Sequence, residues 1–295
     1  MRFGGFPFVT KFAGWQDRSV FGIILGMISL TIAIAAGAGA FSAVYFAADC
    51  GAGWSVAAGL GAFALTNFIV MRRFKKLIEA DMGAVQRILT DGQKALQAKM
   101  QRWQIRPPGS VQAAQREIAE DTKAFVGNAL TAVDALAKYR HWVPLIDRQM
   151  ATAKLQLTWM VKDFKRADEH MKKALFVDPV TASMRIARLH MTGAPKEDIR
   201  KAYEKAVRRA RYNQNVLPAA CWSWILVKSG DTDGAFKVLT EALKKSDDAT
   251  LKRNHEQLMN NRPEQFSNSG LGDQWYALHL EEPKIKTQRQ RGFRR

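Results

Sequence analysis

The side chains most suited to catalysis or metal binding are the histidines, which are scattered along the chain. They are His141, His170, His190, His255 and His279. None belongs to a His-Glu-x-x-His pair or a Cys-x-x-Cys clip, the spacings that bring two ligands to one ion. Asp168, Glu169 and His170 are consecutive, so they fan around a helix and do not converge. The pattern therefore predicts no metal site.

Motifs that bind phosphate or activate a nucleophile are also missing from the sequence. The chain has no phosphate-binding loop, no Gly-x-Ser-x-Gly elbow and no dinucleotide-binding glycine fingerprint. The glycines around Gly59 and Gly61 lie inside an apolar stretch, where close helix packing explains them. We therefore expect no catalytic residue, no cofactor and a function other than that of an enzyme.

Two apolar stretches dominate the N-terminal part of the sequence. Residues 20–48 and 52–71 contain no charged side chain, and each reaches the length of about 20 residues that spans a bilayer. A cleaved signal peptide is the alternative for the first stretch, although a signal core is about half as long. Small residues that would let the two spans pack as a tight transmembrane hairpin are Gly37, Gly39, Ala43, Gly53, Gly59 and Gly61.

Basic residues flank these stretches and predict their orientation. Arg2, Lys11 and Arg18 precede the first, Arg72, Arg73, Lys75 and Lys76 follow the second, and no Lys or Arg lies between them. The positive-inside rule then predicts a two-pass protein of the inner (plasma) membrane, bacterial or organellar, with both termini in the cytoplasm. The aromatic leader, residues 1–19, would lie among the lipid headgroups or be disordered.

The two cysteines would be separated by this membrane. Cys50 lies at the tip of the predicted hairpin and Cys221 lies beside Trp222 and Trp224. We therefore expect no internal disulfide. Cys221 suits helix packing, and Cys50 is either a small residue at a tight turn or pairs with another chain on an oxidising side.

Nearly the whole net charge of +18 lies after residue 71. Anionic lipid is the expected partner of the basic cluster Arg72, Arg73, Lys75 and Lys76, because it would adjoin the membrane. The basic tail, residues 283–295, carries six Lys and Arg and no acid. Nucleic acid is a weaker alternative partner, since no nucleic-acid-binding fold accompanies the tail.

Residues 72–140 are predicted to form a long antiparallel helical hairpin. A heptad seam runs along a helix of about 30 residues, with Ile78, Met82, Val85, Leu89, Leu96, Met100 and Trp103. Pro107 and Pro108 end this helix, and a second amphipathic run follows up to Leu136. The seam either packs within the chain or joins copies of it, which leaves a homo-oligomer as an alternative.

Residues 149–246 contain a helical repeat. Ala167, Ile199 and Ala235 occupy equivalent positions at spacings of 32 and 36, which bracket the 34-residue period of tetratricopeptide repeats. The region resembles the tetratricopeptide-repeat superfamily, although Ile199 stands where a small residue is expected, and an irregular helical bundle is the alternative. The small side chains of Ala167, Ala174, Ala235 and Ala242 would let paired helices approach. Pro179 is expected to stop a second helix.

This resemblance implies an all-α fold, with repeats and a capping helix over residues 141–262 and a concave groove that binds a protein. The residues of this chain at the positions that line the groove in tetratricopeptide arrays are Thr152, Gln156, Trp159, Met184, Arg188, Met191, Trp224 and Val227. In the C-terminal segment, residues 263–295, Trp275 and Tyr276 are a candidate docking segment. Alternatively they close the end of the repeat core, and residues 262–282 could fill the groove themselves.

The sequence as a whole favours a scaffold or assembly factor. Its anchor would be the transmembrane hairpin, and the antiparallel helical hairpin of residues 72–140 would follow. A short solenoid of tetratricopeptide-like repeats would then recruit proteins at the cytoplasmic face. The alternatives are a homo-oligomeric structural subunit of a larger membrane complex and a tether that binds lipid or nucleic acid through its basic surface.

Overall fold

The computed structural model describes residues 27–47, 52–105, 109–140, 143 and 145–282. All regular elements in these ranges are helices, which confirms the predicted all-α class. The described chain divides into two compact units, residues 27–175 and 176–282. The aromatic leader, Cys50, His141 and the basic tail lie outside the described residues.

The first unit contains five α-helices and a 3₁₀ turn at Ala135–Tyr139. The α-helices are α1 (Met27–Ala47), α2 (Ala52–Ile105), α3 (Val111–Asp134), α4 (Ile146–Met160) and α5 (Phe164–Met171). The second unit contains α6 (Pro179–Met191), α7 (Lys196–Arg209), α8 (Val216–Lys228), α9 (Thr232–Leu243), α10 (Ala249–Met259) and the short α11 (Asp273–Tyr276). The predicted boundaries at residues 71 and 140 fall inside the first unit.

Helices α1 and α2 approach closely at two glycines. A Cβ on Gly37 would lie 3.0 Å from the Gly59 carbonyl oxygen and 3.1 Å from Phe63 Cβ. A Cβ on Gly59 would lie 3.2 Å from Phe41 Cβ, so the two helices run antiparallel. A Cβ on Gly39, Gly53 or Gly61 would have no neighbouring atom within 4 Å. Only two of the predicted contact glycines therefore lie at the interface.

One helix in the described part of the chain is long and apolar enough to cross a membrane, at Ala52–Trp103. Within α1, the apolar helix Thr31–Phe46 is shorter than a membrane span requires. Length and composition thus mark one membrane span where the sequence predicted two.

Helix α2 continues without a break for 54 residues, about 80 Å at 1.5 Å per residue. Its first part is the second apolar stretch, and its later part carries the heptad seam. Five seam residues are buried, namely Ile78, Met82, Val85, Leu89 and Leu96. They pack in one core with residues of α3, the 3₁₀ turn and α4, including Phe125, Leu136 and Leu157. The seam is therefore largely covered within the chain.

Polar contacts fix the direction of α3 against α2. Lys99 Nζ lies 2.5 Å from a carboxylate oxygen of Asp121, and the Tyr139 hydroxyl donates to Asp81 Oδ2 at 2.8 Å. Between these pairs, Gly92 faces Phe125. Along these three contacts the residue number falls in α2 while it rises in the partner segment. The two segments are therefore antiparallel.

Four helices end in the same turn. Lys162, Gly193, Gly230 and Asn261 all have positive φ, between 53° and 82°. The N–H that follows each of them donates to the carbonyl five residues earlier, for example Asp163 to Thr158 at 3.0 Å and Asp231 to Leu226 at 2.9 Å. This is the Schellman closure of a helix end. The helix predicted as a capping helix, α10, thus ends in the same way as α4, α6 and α8.

The expected role of Pro179 is wrong. Helix α5 ends at Met171, so Ala174 lies in the following loop and not in a helix. Pro179 is the first residue of α6, where the Asp178 carboxylate accepts from the Val180 and Thr181 N–H groups at 3.1 Å. Proline suits this position because the first helical N–H has no partner inside the helix.

Candidate protein-binding surface

Three residues of the predicted groove lie on α4. Trp159 is fully buried, and its ring meets that of Phe164 edge to face with centroids 5.2 Å apart. The Thr152 hydroxyl accepts a hydrogen bond from the Leu175 N–H at 2.8 Å. Gln156 is half-buried. A protein approaching α4 can therefore touch Gln156 but not the Trp159 ring.

The other predicted groove residues lie on α6 and α8, which pack against each other. Met184 is fully buried, and Trp224 is 8% exposed. Arg188, Met191 and Val227 are half-buried and keep part of their surface in solvent. We call these three residues the α6–α8 face. It combines a cation with an adaptable methionine and a valine, a composition suited to protein contacts.

Trp224 is covered by the chain's own C-terminal segment. Its ring lies edge to face with that of Trp275, with centroids 5.8 Å apart, and Trp275 is fully buried. Trp224 Nε1 donates to Glu281 Oε1 at 2.8 Å, and Trp275 Nε1 donates to Glu281 Oε2 at 2.7 Å. One carboxylate therefore satisfies both indole N–H groups, as buried tryptophans require.

A buried amide network fixes the start of the same segment. Asn268 is fully buried; its Nδ2 donates to the Ala220 carbonyl at 2.9 Å and its Oδ1 accepts from Asn254 Nδ2 at 2.8 Å. Asn254 Oδ1 accepts in turn from the Ser267 N–H at 3.0 Å. The segment is thus tied to α8 and α10 by side chains whose polar groups find partners inside the protein.

Gly270 lets this segment approach α10 closely. A Cβ at this position would lie 2.4 Å from Thr250 Oγ1, too near for any side chain to fit without a shift. The contact explains why a glycine stands in an otherwise ordered stretch. Together with the tryptophan pair and the amide network, it keeps residues 266–281 folded onto the second unit.

The C-terminal segment therefore covers Trp224, one of the predicted groove residues. Trp275 packs into the core of its own unit, and Tyr276 is half-buried beside it. Of the predicted groove residues on this unit, those of the α6–α8 face keep part of their surface exposed.

His190 and Lys228 border the covered tryptophan. The His190 ring meets Trp224 at right angles with centroids 5.7 Å apart, and Lys228 Nζ lies 5.5 Å from the Trp224 ring centroid. Burial lowers the pKa of His190 below its ordinary value of 6.5. A neutral imidazole packed edge to face on an indole is suited to a packing role.

Sequence reasoning missed Glu281, Asn268 and Asn254. Glu281 lies 57 residues from Trp224, so no local spacing connects them. A usable signal existed in Trp275 itself, because a tryptophan predicted to be buried needs an acceptor for its N–H. Glu281 and Glu282 are the nearest carboxylates that follow it in the chain.

The predicted membrane-surface cluster lies on α2. Arg72, Arg73 and Lys76 are exposed, and the side chain of Lys75 lies outside the described residues. Nine residues beyond Arg72, Asp81 accepts from Lys138 Nζ at 2.7 Å and from Tyr139. These two donors, Lys138 above all, hold the pKa of Asp81 below its usual value.

No group of His, Cys, Asp and Glu side chains in the described part of the chain has the geometry to hold a metal ion. Cys221 is buried, its Sγ lies 4.0 Å from the Ser183 carbonyl oxygen, and burial raises the pKa of its thiol. A thiol in this environment is unreactive. Comparison with protein-family models, with curated proteins and with solved structures finds no significant match to the chain.

Proposed function

We propose that the chain is a membrane-anchored scaffold or assembly factor that binds other proteins at the cytoplasmic face of an inner membrane. The observation that carries this proposal is the continuity of α2. One helix of 54 residues joins an apolar stretch with exposed side chains to the core of the first unit. A soluble core helix would bury its apolar side chains, and this stretch does not.

The apolar part of α2 exposes large hydrophobic side chains on its outer surface. Trp54, Leu60, Leu65 and Phe68 are each at least 60% exposed. Lipid would cover these groups, since water cannot do so without a large cost in free energy. Between Trp54 and Arg72 the helix rises about 27 Å, close to the thickness of a hydrocarbon core.

The antiparallel pairing of α1 supports a second pass. Gly37 and Gly59 bring the two backbones together, and small residues serve this purpose between membrane helices. Tyr45, Phe46 and Trp54 are exposed at the hairpin end of the two helices, where an aromatic belt would meet the headgroups. Arg72 and Arg73 at the opposite end favour a cytoplasmic position for the rest of the chain.

The helix pairs support a protein-binding role. The same Schellman turn closes α4, α6, α8 and α10, and α6 packs on α8 as first helices do in tetratricopeptide arrays. Such arrays bind peptides or partner helices through the surface of their first helices. Because the C-terminal segment covers Trp224, we assign the partner contact to the α6–α8 face.

A homo-oligomeric subunit is the alternative, but the predicted heptad seam gives it little support. Most seam residues are buried within the chain, so copies would have to meet elsewhere. A tether that binds nucleic acid through the basic tail is a further alternative, and the tail lies outside the described residues.

The test uses the full-length chain in its native membranes. Carbonate washing should leave the protein in the membrane fraction, and purification in mild detergent should retain a stoichiometric protein partner. The variant Arg188→Ala, Met191→Ser, Val227→Ser should lose that partner and keep its helix content. The control Lys201→Ala, Glu204→Ala, Lys205→Ala changes exposed residues of α7 and should keep it. Extraction by carbonate would overturn the anchor, and a partner kept by the first variant would overturn the assigned surface.

A further inference from the structure

A cavity of about 700 Å³ lies in the first unit, between the end of the 3₁₀ turn, α4 and the loop after α5. Its floor is apolar, formed by the buried residues Met150 and Ala151. Its rim carries five cations, which are Arg140, Arg148, Lys154, Lys172 and Lys173. An apolar floor beneath a cationic rim suits a ligand that has both an anionic group and a hydrocarbon part.

The acidic groups at this cavity do not cancel its charge. Asp147 is the one carboxylate among the lining residues and pairs with Arg140, Nε to Oδ1, at 2.9 Å. Lys154 pairs with Asp134, which is not part of the lining. Arg148, Lys172 and Lys173 are exposed at the rim. The cavity therefore retains an excess of positive charge that attracts anions.

His170 also lines the cavity. Burial, together with the nearby charge of Lys154, lowers the pKa of its imidazole. At neutral pH the ring is therefore uncharged. It can donate one hydrogen bond to an oxygen of a bound anion without adding a further cation to the site.

The contacts of the 3₁₀ turn place the cavity near the end of the apolar part of α2. The Tyr139 ring meets the Phe74 ring edge to face, with centroids 6.3 Å apart. Phe74 directly follows Arg72 and Arg73, which end the apolar stretch. Arg140, the next residue after Tyr139, begins the cationic rim. In a membrane, one edge of the cavity would therefore lie near the phosphates of the cytoplasmic leaflet.

We propose that this cavity binds the phosphate of an anionic phospholipid headgroup. The phosphate contacts Arg148, Lys172 and Lys173 at the rim, and the glycerol and upper acyl carbons cover Met150 and Ala151. Lipid is favoured over a free phosphate compound because the rim adjoins the membrane end of α2. The proposal rests on the membrane anchor proposed above.

The test measures lipid retention by the purified full-length chain in detergent, by native mass spectrometry during titration with phosphatidylglycerol. The variant Arg148→Gln, Lys172→Gln, Lys173→Gln should weaken binding about 100-fold, since each basic residue near anionic lipid contributes several-fold. The control Arg208→Gln, Lys205→Gln, Lys245→Gln removes the same charge from exposed positions outside the cavity. It should bind phosphatidylglycerol as the unmodified chain does.

Two further measurements distinguish a lipid phosphate from the phosphate of a soluble compound. Phosphatidylcholine should be retained weakly, and millimolar glycerol phosphate should not displace phosphatidylglycerol. Displacement by glycerol phosphate would instead identify a soluble phosphate compound as the ligand and overturn the lipid assignment. Equal retention by the cavity variant and the control would overturn the site itself. Because these measurements are made in detergent, they give an answer even if carbonate washing contradicts the membrane anchor.

Discussion

Trp224 on α8 and Trp275 in the C-terminal segment lie edge to face with ring centroids 5.8 Å apart, and both indole N–H groups donate to the carboxylate of Glu281. The arrangement covers Trp224 with a segment from the same chain. The carboxylate of Glu281 is therefore one of the groups that attach residues 266–281 to the second unit, beside the amide network of Asn268, and its share can be tested directly.

Glu281→Gln should loosen the C-terminal segment. The amide keeps one acceptor oxygen, and its NH₂ group faces the second indole N–H. Loss of a hydrogen bond to a charged group costs about 1.5–3 kcal/mol, so amide hydrogen exchange of residues 266–281 should accelerate about 10- to 100-fold. Glu282→Gln, at an exposed position, is the control and should exchange like the unmodified chain. Equal protection in both variants would contradict the role of Glu281.

Asn268→Ala should destabilise the second unit by about 1–3 kcal/mol, because it leaves the buried Ala220 carbonyl and the Asn254 amide without their partner. Urea unfolding followed by tryptophan fluorescence measures the loss. The double variant Asn254→Ala, Asn268→Ala should cost less than the sum of the two single changes. Additive effects would show that the two amides act independently, and exposed Asn260→Ala provides the control.

Gly92→Ala should lower the melting temperature of the first unit, and Gly83→Ala should raise it. At Gly92 a Cβ would lie 2.5 Å from Phe125 Cγ inside the core, whereas Gly83 has open space. Overpacking costs about 1–3 kcal/mol, which exceeds the gain of about 1 kcal/mol from replacing a helical glycine. Circular dichroism melting in detergent compares the two variants, and a rise in both would exclude the tight contact.

Gly37→Ile should separate α1 from α2, since its Cβ would lie 3.0 Å from the Gly59 carbonyl oxygen. Gly39→Ile adds the same side chain two residues away, where nothing lies within 4 Å. Titration with sodium dodecyl sulfate should therefore unfold the first variant at a lower detergent fraction than the second. Identical midpoints would mean that the two helices do not depend on this glycine contact.

His190 should make the second unit less stable in mild acid. Its folded pKa lies below the ordinary value of 6.5 because the ring is partly buried, so the unfolded chain takes up the proton first. Its stabilising effect is complete above pH 6.5 and declines as the pH falls through that value towards the folded pKa. His190→Gln should flatten the dependence of the urea midpoint between pH 7 and pH 5. An unchanged slope would assign the pH dependence to other groups.

The helical class could be predicted because amphipathic spacing is local, and the heptad positions Val85 and Leu89 are buried as that spacing requires. The continuity of α2 could not be predicted from the same pattern. The change from apolar to charged residues at Arg72 marks a change of surroundings, and a helix can continue through such a boundary.

The groove residues show a second limit of sequence reasoning. The resemblance to tetratricopeptide repeats predicts Trp159 and Met184 at a groove, but both side chains are buried in the core. A helix packed on its neighbours has a buried face and an exposed face. Composition alone does not separate these faces. The pairing of Trp224 with Glu281 is also beyond local patterns, since tertiary folding brings the two residues together.

In the proposed membrane anchor, the unbroken α2 would act as a lever across the membrane surface. The part beyond Met71 is about 50 Å long, so a tilt of about 20°, typical of membrane helices, shifts its far end sideways by about 17 Å. Bilayer thickness influences the tilt of a span. A thinner or thicker membrane would therefore change where Ile105, at the end of this helix, stands over the lipid.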